Sequence, residues 1–165
     1  LVLHVVSQQI STAVALAMFA RIETGAGQPV TPAGVLALHL EGLRACGLSR
    51  AKALTLIDIA QRIVGKSLDL DRLDAYDDKE VVARLTAARG IGPWTAQMFL
   101  IHQLRRPDVF PAGDLGIRHA LRGALHRPEM PNITEAGDTG RRWSPYRTYA
   151  AALLWASLKP GAARR

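Results

Sequence analysis

Apolar positions recur at three-to-four spacing along most of this chain, the period of an amphipathic helix. Residues 1–23 carry it first, with Leu3, Val6, Ile10, Val14, Ala17 and Met18 in phase. The Gly- and Pro-containing stretch 24–31 reads as a loop. Thr31 before Pro32 supplies an N-cap and a proline at the first helical position, which predicts a helix to about Ala45, closed by Gly47. Ser49 caps the next helix, over about 50–64, and Gly65 stops it. Asp77 or Asp78 opens a helix to about Ala88. Gly90-Ile91-Gly92 separates that helix from one over 93–104. After the loop 105–113, Asp114 begins a helix to about Leu125. The stretch 126–142, with Pro128, Pro131, Asn132, Gly137 and Gly140, reads as turns. Ser144 and Pro145 open a last helix to about Leu158, and Pro160 to Arg165 reads as a frayed tail. No alternation of apolar and polar residues persists long enough for a strand, so the pattern predicts an all-α fold.

Composition narrows the partners. The 165 residues fit one domain or two small lobes sharing a cleft, and 48% are apolar, enough for a real core. A formal net charge of +7 favours a polyanionic partner, although 17 of the 21 basic residues are Arg in an Ala-rich chain, so compositional bias contributes. The single cysteine, Cys46, rules out an intramolecular disulfide framework and any all-Cys zinc or iron–sulfur site within these residues. A reducing compartment, cytoplasmic or nuclear, is expected. No apolar run is long enough for a bilayer, so no membrane is expected as a partner. The five histidines show no metal-ligand spacing, and no catalytic metal is expected.

The most informative run is Leu85-Thr86-Ala87-Ala88-Arg89-Gly90-Ile91-Gly92-Pro93-Trp94-Thr95-Ala96. Two glycines flank one apolar residue between two apolar helices. A turn that must approach a phosphate closely needs bare backbone, and Gly90 and Gly92 also permit positive φ. The N–H groups opening the second helix, with the helix dipole behind them, suit a phosphate. Thr95 can add a hydroxyl, and Ile91 should plug the gap between the helices. The plainer alternative is an ordinary tight helix–helix turn. Asp114 has a plain role too, as N-cap of the following helix with an i,i+4 contact to Arg118. Placed after a phosphate-gripping element and beside Ala112 and Gly113, its carboxylate could instead stabilise positive charge on a sugar.

The segment Leu85 to Arg118 resembles the helix-hairpin-helix DNA glycosylases, in particular their 3-methyladenine DNA glycosylase II branch. The hairpin motif matches Gly90-Ile91-Gly92-Pro93-Trp94-Thr95-Ala96, and the hairpin element spans 79–104. The Asp-Val-Phe approach matches Asp108-Val109-Phe110, and the catalytic aspartate falls on Asp114. Pro145-Tyr146-Arg147-Thr148-Tyr149-Ala150 matches the branch's terminal run, and Trp155 its pocket tryptophan. Val6-Ser7-Gln8-Gln9-Ile10-Ser11 looks like the family's loop that enters the DNA stack. The resemblance covers nearly the whole chain as a single glycosylase domain, with the family's further N-terminal segment missing ahead of that loop.

The resemblance implies a two-lobed fold with the active-site cleft between lobes. It implies a monofunctional N-glycosylase that excises alkylated bases from double-stranded DNA, as a monomer. Enzymes that act on a base flip it from the duplex. Gln8 and Gln9 are then the plug, against the plainer reading of a solvated helix end. Trp94, Met98 and Trp155 are the base pocket; core packing is the commoner fate of tryptophan, but Trp155 shares its helix face with Thr148, Ala151 and Ala152, apart from the stripe of Tyr146, Ala150 and Leu153. Met98 stands where relatives often have an aromatic residue, and Gly113 replaces an acidic one. Trp94 stands where the lyase-competent enzymes carry a Schiff-base lysine. The carbonyls of Ala88 and Ile91 are candidates for a structural Na or K ion. A glycosylase for deaminated bases, such as uracil or hypoxanthine, and a non-catalytic helix-hairpin-helix DNA-binding module are the alternatives.

Overall fold

The computed structural model describes residues 1–158; the expected frayed tail lies outside them. The described residues form helices and turns, with no strand. They belong to two compact units, Leu1–Phe99 and a second from Leu100 onward.

The first unit is built around α5, preceded by α1 (Val2–Val6), α2 (Thr12–Ala26), α3 (Pro32–Ala37) and α4 (His39–Ala45), and itself running Arg50–Val64. Its buried face, Ala53, Thr55, Leu56, Ile59 and Ala60, packs against α1, α3 and α4. Val5, Val6, Ile22, Val35 and Leu43 are buried in the same unit. Each such large side chain contributes about 1.5–3 kcal/mol on leaving water. A 3-10 turn (Leu73–Ala75) precedes α6 (Asp78–Thr86), and α7 (Pro93–His102) follows the Gly90–Gly92 turn.

Two of the expected helices are broken. Residues 1–23 are not continuous: α1 stops at Val6, and Ser11 restarts the chain by accepting the Val14 N–H at 3.4 Å. Lys52, remote in sequence, takes carbonyls at the break, and this decides the interruption (below). The span Pro32–Ala45 divides at Leu38 because His39 adopts φ +52°, which interrupts the helical ladder. Its predicted start is correct, with Thr31 Oγ1 accepting the Gly34 N–H at 3.1 Å. The predicted caps Ser49 and Asp77 also accept N–H groups three residues on, at 3.3 and 2.8 Å.

The second unit packs α8 (Leu115–Ala124), α9 (Ile133–Arg141) and α10 (Arg147–Ser157) on one another. Its core is Phe110, Ile117, Ala120, Leu121, Ala136, Ala151 and Leu154. Helix α9 lies in the stretch expected to be turns. Its signal is a capping box: Asn132 Oδ1 accepts the Glu135 N–H and Glu135 Oε2 accepts the Asn132 N–H, both at 2.9 Å. Gly137 and Gly140 disguised it. Gly140 is there for packing, since a Cβ would lie 2.4 Å from the Phe110 ring. On α10 the stripe of Tyr146 and Leu153 is exposed, and the core face is Ala151 and Leu154. Ser144 does not cap α10, which begins at Arg147; its hydroxyl donates to Asp108 Oδ2 at 2.8 Å.

Asp108 also receives Arg147 Nε at 2.6 Å and Nη2 at 3.0 Å. The Arg147 hydrogen bonds, with slight desolvation against them and Ser144 adding to them, hold the Asp108 carboxyl down at about 2. A depressed carboxylate stabilises the fold above its ordinary pKa and loses that contribution as pH falls through the folded value. Asp108→Asn should therefore cost on the order of 1 kcal/mol at neutral pH, discounted for solvent screening, and the cost should fade between about pH 4 and pH 2. Melting temperatures of both proteins across that range check this; a gap that persists unchanged at pH 2 would contradict it.

Candidate functional site

The hairpin turn is defined by what lies under it. Gly90 has φ +77°, and a Cβ there would sit 2.0 Å from Thr55 Oγ1 on α5. No other residue type fits both the dihedral and the contact. Gly92 is different: its φ is not positive, and nothing lies within 4 Å of a Cβ built on it. Its bareness leaves open surface at the start of α7. Ile91 is buried, as expected for a plug, with Leu85, Ala96 and Phe99. The Ile91 N–H donates to the Ala88 carbonyl at 3.2 Å, closing the turn. On the α5 side, Asp58 Oδ2 accepts the Arg89 N–H at 2.9 Å and Arg62 Nε at 2.8 Å. Partial burial alone would raise the Asp58 pKa, but these hydrogen bonds and charges outweigh it and hold it below the ordinary carboxylate value.

Thr95 is only 1% exposed, and its hydroxyl accepts Gln8 Nε2 at 2.9 Å. The hydroxyl is thus turned toward Gln8 within the unit, where an outward, phosphate-facing position was expected. Gln8 Nε2 also reaches the Gly90 carbonyl at 3.2 Å. Gln8 is therefore tied to the hairpin, while Gln9 is exposed with φ +55° at the tip of the same loop. Trp94 is half-buried on the first turn of α7, and Met98, one turn on, is buried.

Asp114 in the second unit caps α8: its Oδ1 accepts the Ile117 N–H at 2.8 Å. The same oxygen accepts the Trp155 indole N–H at 3.0 Å. Both the plain role and a specific one are thus realised on one carboxylate. The loop leading to it is fastened by α10. The Thr148 hydroxyl donates to Arg106 O at 2.7 Å and accepts the Val109 N–H at 3.0 Å, and the Thr148 N–H donates to Pro107 O at 3.0 Å. One helix therefore fixes the approach at its first turn and the carboxylate two turns later. Arg118 Nε donates to the Pro131 carbonyl at 2.7 Å. Gly113 has open space around its Cα, while Gly116 does not: a Cβ there would lie 3.1 Å from Asp114 Oδ1 and 3.5 Å from Trp155 Cδ1. Gly116 admits the indole to the carboxylate, a role sequence reasoning missed; its only signal was a glycine inside the first turn of a helix. His102 stacks on Trp155, ring centroids 6.3 Å apart and 24° between planes, so one part of the indole already has a ring neighbour. Among the described residues, no three His, Cys, Asp or Glu side chains cluster as a metal site, and no helix is long and apolar enough to cross a membrane.

These features are a helical turn with a bare glycine and, in the second unit, a carboxylate held at a helix N-terminus by two N–H donors. They define a class of helical proteins with a Gly-x-Gly turn between two helices and an aspartate capping a later one. The family model for the HhH-GPD superfamily base excision DNA repair protein matches residues 2–135, taking in both the hairpin and Asp114. DNA-3-methyladenine glycosylase 1 of Schizosaccharomyces pombe is 36% identical over 163 residues, 96% of this chain and 71% of that protein. The putative DNA-3-methyladenine glycosylase YfjP of Bacillus subtilis is 32% identical over 128 residues, 78% of this chain but 45% of that protein. The structure of the Schizosaccharomyces pombe 3-methyladenine DNA glycosylase in complex with abasic DNA superposes with a TM-score of 0.91 at 33% identity, covering 99% of this chain and 81% of the other. The chain belongs to the HhH-GPD superfamily of base excision DNA repair proteins. Trp155 lies beyond the part matched by the family model, so its hydrogen bond to Asp114 is an independent observation.

That bond separates two roles for the indole. Trp155→Phe keeps a ring but removes the donor, and should slow base release on every substrate by about tenfold, the value of a hydrogen bond to a charged group. Trp155→Ala should add a further loss of roughly fivefold on cationic alkylated bases only, from lost cation–π attraction. Single-turnover rates on 7-methylguanine and hypoxanthine duplexes read both; a phenylalanine variant as fast as the parent would remove the first role.

Proposed function

We propose that this chain is a monofunctional DNA N-glycosylase that excises alkylated bases of the 3-methyladenine type from double-stranded DNA, as a monomer and wherever genomic DNA is kept. The observation that carries the reading is the Asp114 carboxylate, fixed by the Ile117 and Trp155 N–H groups beside the open backbone of Gly113. A preorganised carboxylate needs no reorganisation when positive charge develops on the sugar, and this is where electrostatic catalysis gains most. An alkylated purine is already cationic. As its bond to the sugar C1′ breaks, it takes the bonding electrons and leaves neutral. Water then adds to C1′ and gives up a proton, leaving an abasic site. One carboxylate suffices, because no acid is needed to protonate the leaving group.

The other assignments follow from this reading. The first turn of α7, opened by bare Gly92, takes a phosphate by its backbone and dipole. Gln9 fills the space of the extruded nucleotide, with Gln8 holding it to the hairpin. Trp155 beside the Asp114 carboxylate and, in the first unit, Trp94 and Met98 are each assigned to contact with the extruded base. Trp94 offers no amine where a lyase would need one, so no Schiff base forms. The carbonyls of Ala88 and Ile91 are hard oxygen donors in one turn, suited to a structural Na or K ion. Ala88 O already accepts one N–H, so it has a single lone pair to give.

Base release from duplexes with single lesions tests the reading. Release of 3-methyladenine and 7-methylguanine should exceed release of uracil and hypoxanthine, with no adduct trapped by borohydride. Asp114→Asn should reduce release by at least about a hundredfold while leaving binding to abasic-analogue DNA largely intact, since the charge acts on the transition state. No release from any duplex would refute the activity.

The hairpin has its own test. Gly92→Asp puts a side chain and a negative charge on the bare surface. Affinity for all DNA sequences should fall alike, by about tenfold or more at physiological salt, and the parent's affinity should drop steeply as salt is added. Equal affinities of parent and variant in a fluorescence-anisotropy titration would show that this turn does not face DNA.

A further inference from the structure

Helix α5 carries Lys52, Thr55 and Asp58 three residues apart, on one face. Two of them support the hairpin, Thr55 beneath Gly90 and Asp58 on the Arg89 N–H. Lys52 points to the other candidate DNA-facing element. Its Nζ donates to Val6 O at 2.8 Å and to Gln8 O at 2.7 Å. These carbonyls lie where α1 ends and helix bonding can no longer satisfy them. Desolvation by burial lowers the Lys52 pKa from its ordinary value. The Gln8 side chain joins the two elements through Gly90 O and Thr95 Oγ1.

We propose that Lys52 is a positioning residue for the Gln9 tip. Its ammonium fixes the register of the loop 7–10 against the Gly90–Gly92 hairpin, so that backbone grip and plug are presented together. The inference rests on reading the chain as a base-flipping glycosylase. Lys52 contacts no reacting atom; it acts through the loop. The loop needs such an anchor. Gln9 is held at φ +55°, a left-handed conformation that a non-glycine residue keeps only where its surroundings fix it. A single ammonium on a long stem brings three donors to one point, enough to take both carbonyls.

The test compares Lys52→Met, Lys52→Arg and Gln9→Ala with the parent. Each is titrated against an undamaged duplex and a tetrahydrofuran abasic-analogue duplex. The fluorescence of a 2-aminopurine beside the target reads unstacking. Lys52→Met should bind undamaged DNA within about twofold of the parent but lose about tenfold in preference for the abasic analogue, with the unstacking signal. Lys52→Arg should recover most of both. Adding Lys52→Met to Gln9→Ala should cost little more, because the two act in series. If methionine prevents folding, Lys52→Gln, with one amide donor group, takes its place with the same expected split. Parent-like preference and unstacking in Lys52→Met would overturn the proposal, and so would an equal loss on both duplexes, which is the mark of a merely structural residue. A parent with no preference for the abasic analogue and no base release would defeat the glycosylase reading, and this proposal with it; a parent that has both leaves Lys52 to be judged alone.

Discussion

Helix ends leave backbone N–H and C=O groups without partners, and each must find one elsewhere or stay in water. This chain is made of short helices, so it has many such ends, and its functional elements are built from them. The carbonyls after α1 are taken by Lys52, the N–H of Arg89 by Asp58, and the Ile117 N–H by Asp114. In each case the partner does a second job. Lys52 holds a loop, Asp58 also holds Arg62, and Asp114 is the candidate catalytic carboxylate. Satisfying the backbone and placing the chemistry are one arrangement here.

The Asp114 site shows why this matters energetically. A carboxylate at a helix N-terminus is favoured by the dipole and by its cap hydrogen bond, worth about 1 kcal/mol. That is enough to fix a rotamer, and the Trp155 indole then fixes it again from α10. The cost is steric: a Cβ at 116 would crowd the carboxylate at 3.1 Å, so glycine there leaves the indole and the carboxylate room to meet. The approach loop is held separately, by Thr148 and by the Arg147 pair on Asp108. The carboxylate and its approach loop are thus each tied to α10 by separate contacts.

Glycines in the hairpin divide the work that their symmetry in sequence suggests they share. Gly90 answers to the interior, through its left-handed φ and the contact with Thr55. Gly92 answers to the exterior, where nothing is packed against it. The same division separates Gln8 from Gln9. One is hydrogen-bonded to the hairpin and the other is exposed at the tip. Adjacent residues of one type thus serve as anchor and as candidate plug.

Local signals in the sequence determined much of this protein. Thr31, Ser49, Asp77 and Asp114 each announce a helix start by cap chemistry, which acts over three residues and needs no tertiary context. The Gly-Ile-Gly turn, the lone carboxylate after it and the all-α class were legible for the same reason. The capping box of Asn132 and Glu135 was equally local, but Gly137 and Gly140, the latter placed for packing on Phe110, hid it. Tertiary structure alone decided the rest. The break after Val6 has no proline or glycine to mark it, because the group that completes it comes from Lys52, and the turn at His39 likewise lacks a local signal. The inward turn of Thr95 and the Trp155–Asp114 bond also join residues far apart in the chain. Pairings of that kind depend on where helices pack, and helix packing is set by the whole hydrophobic pattern and by no short stretch of it.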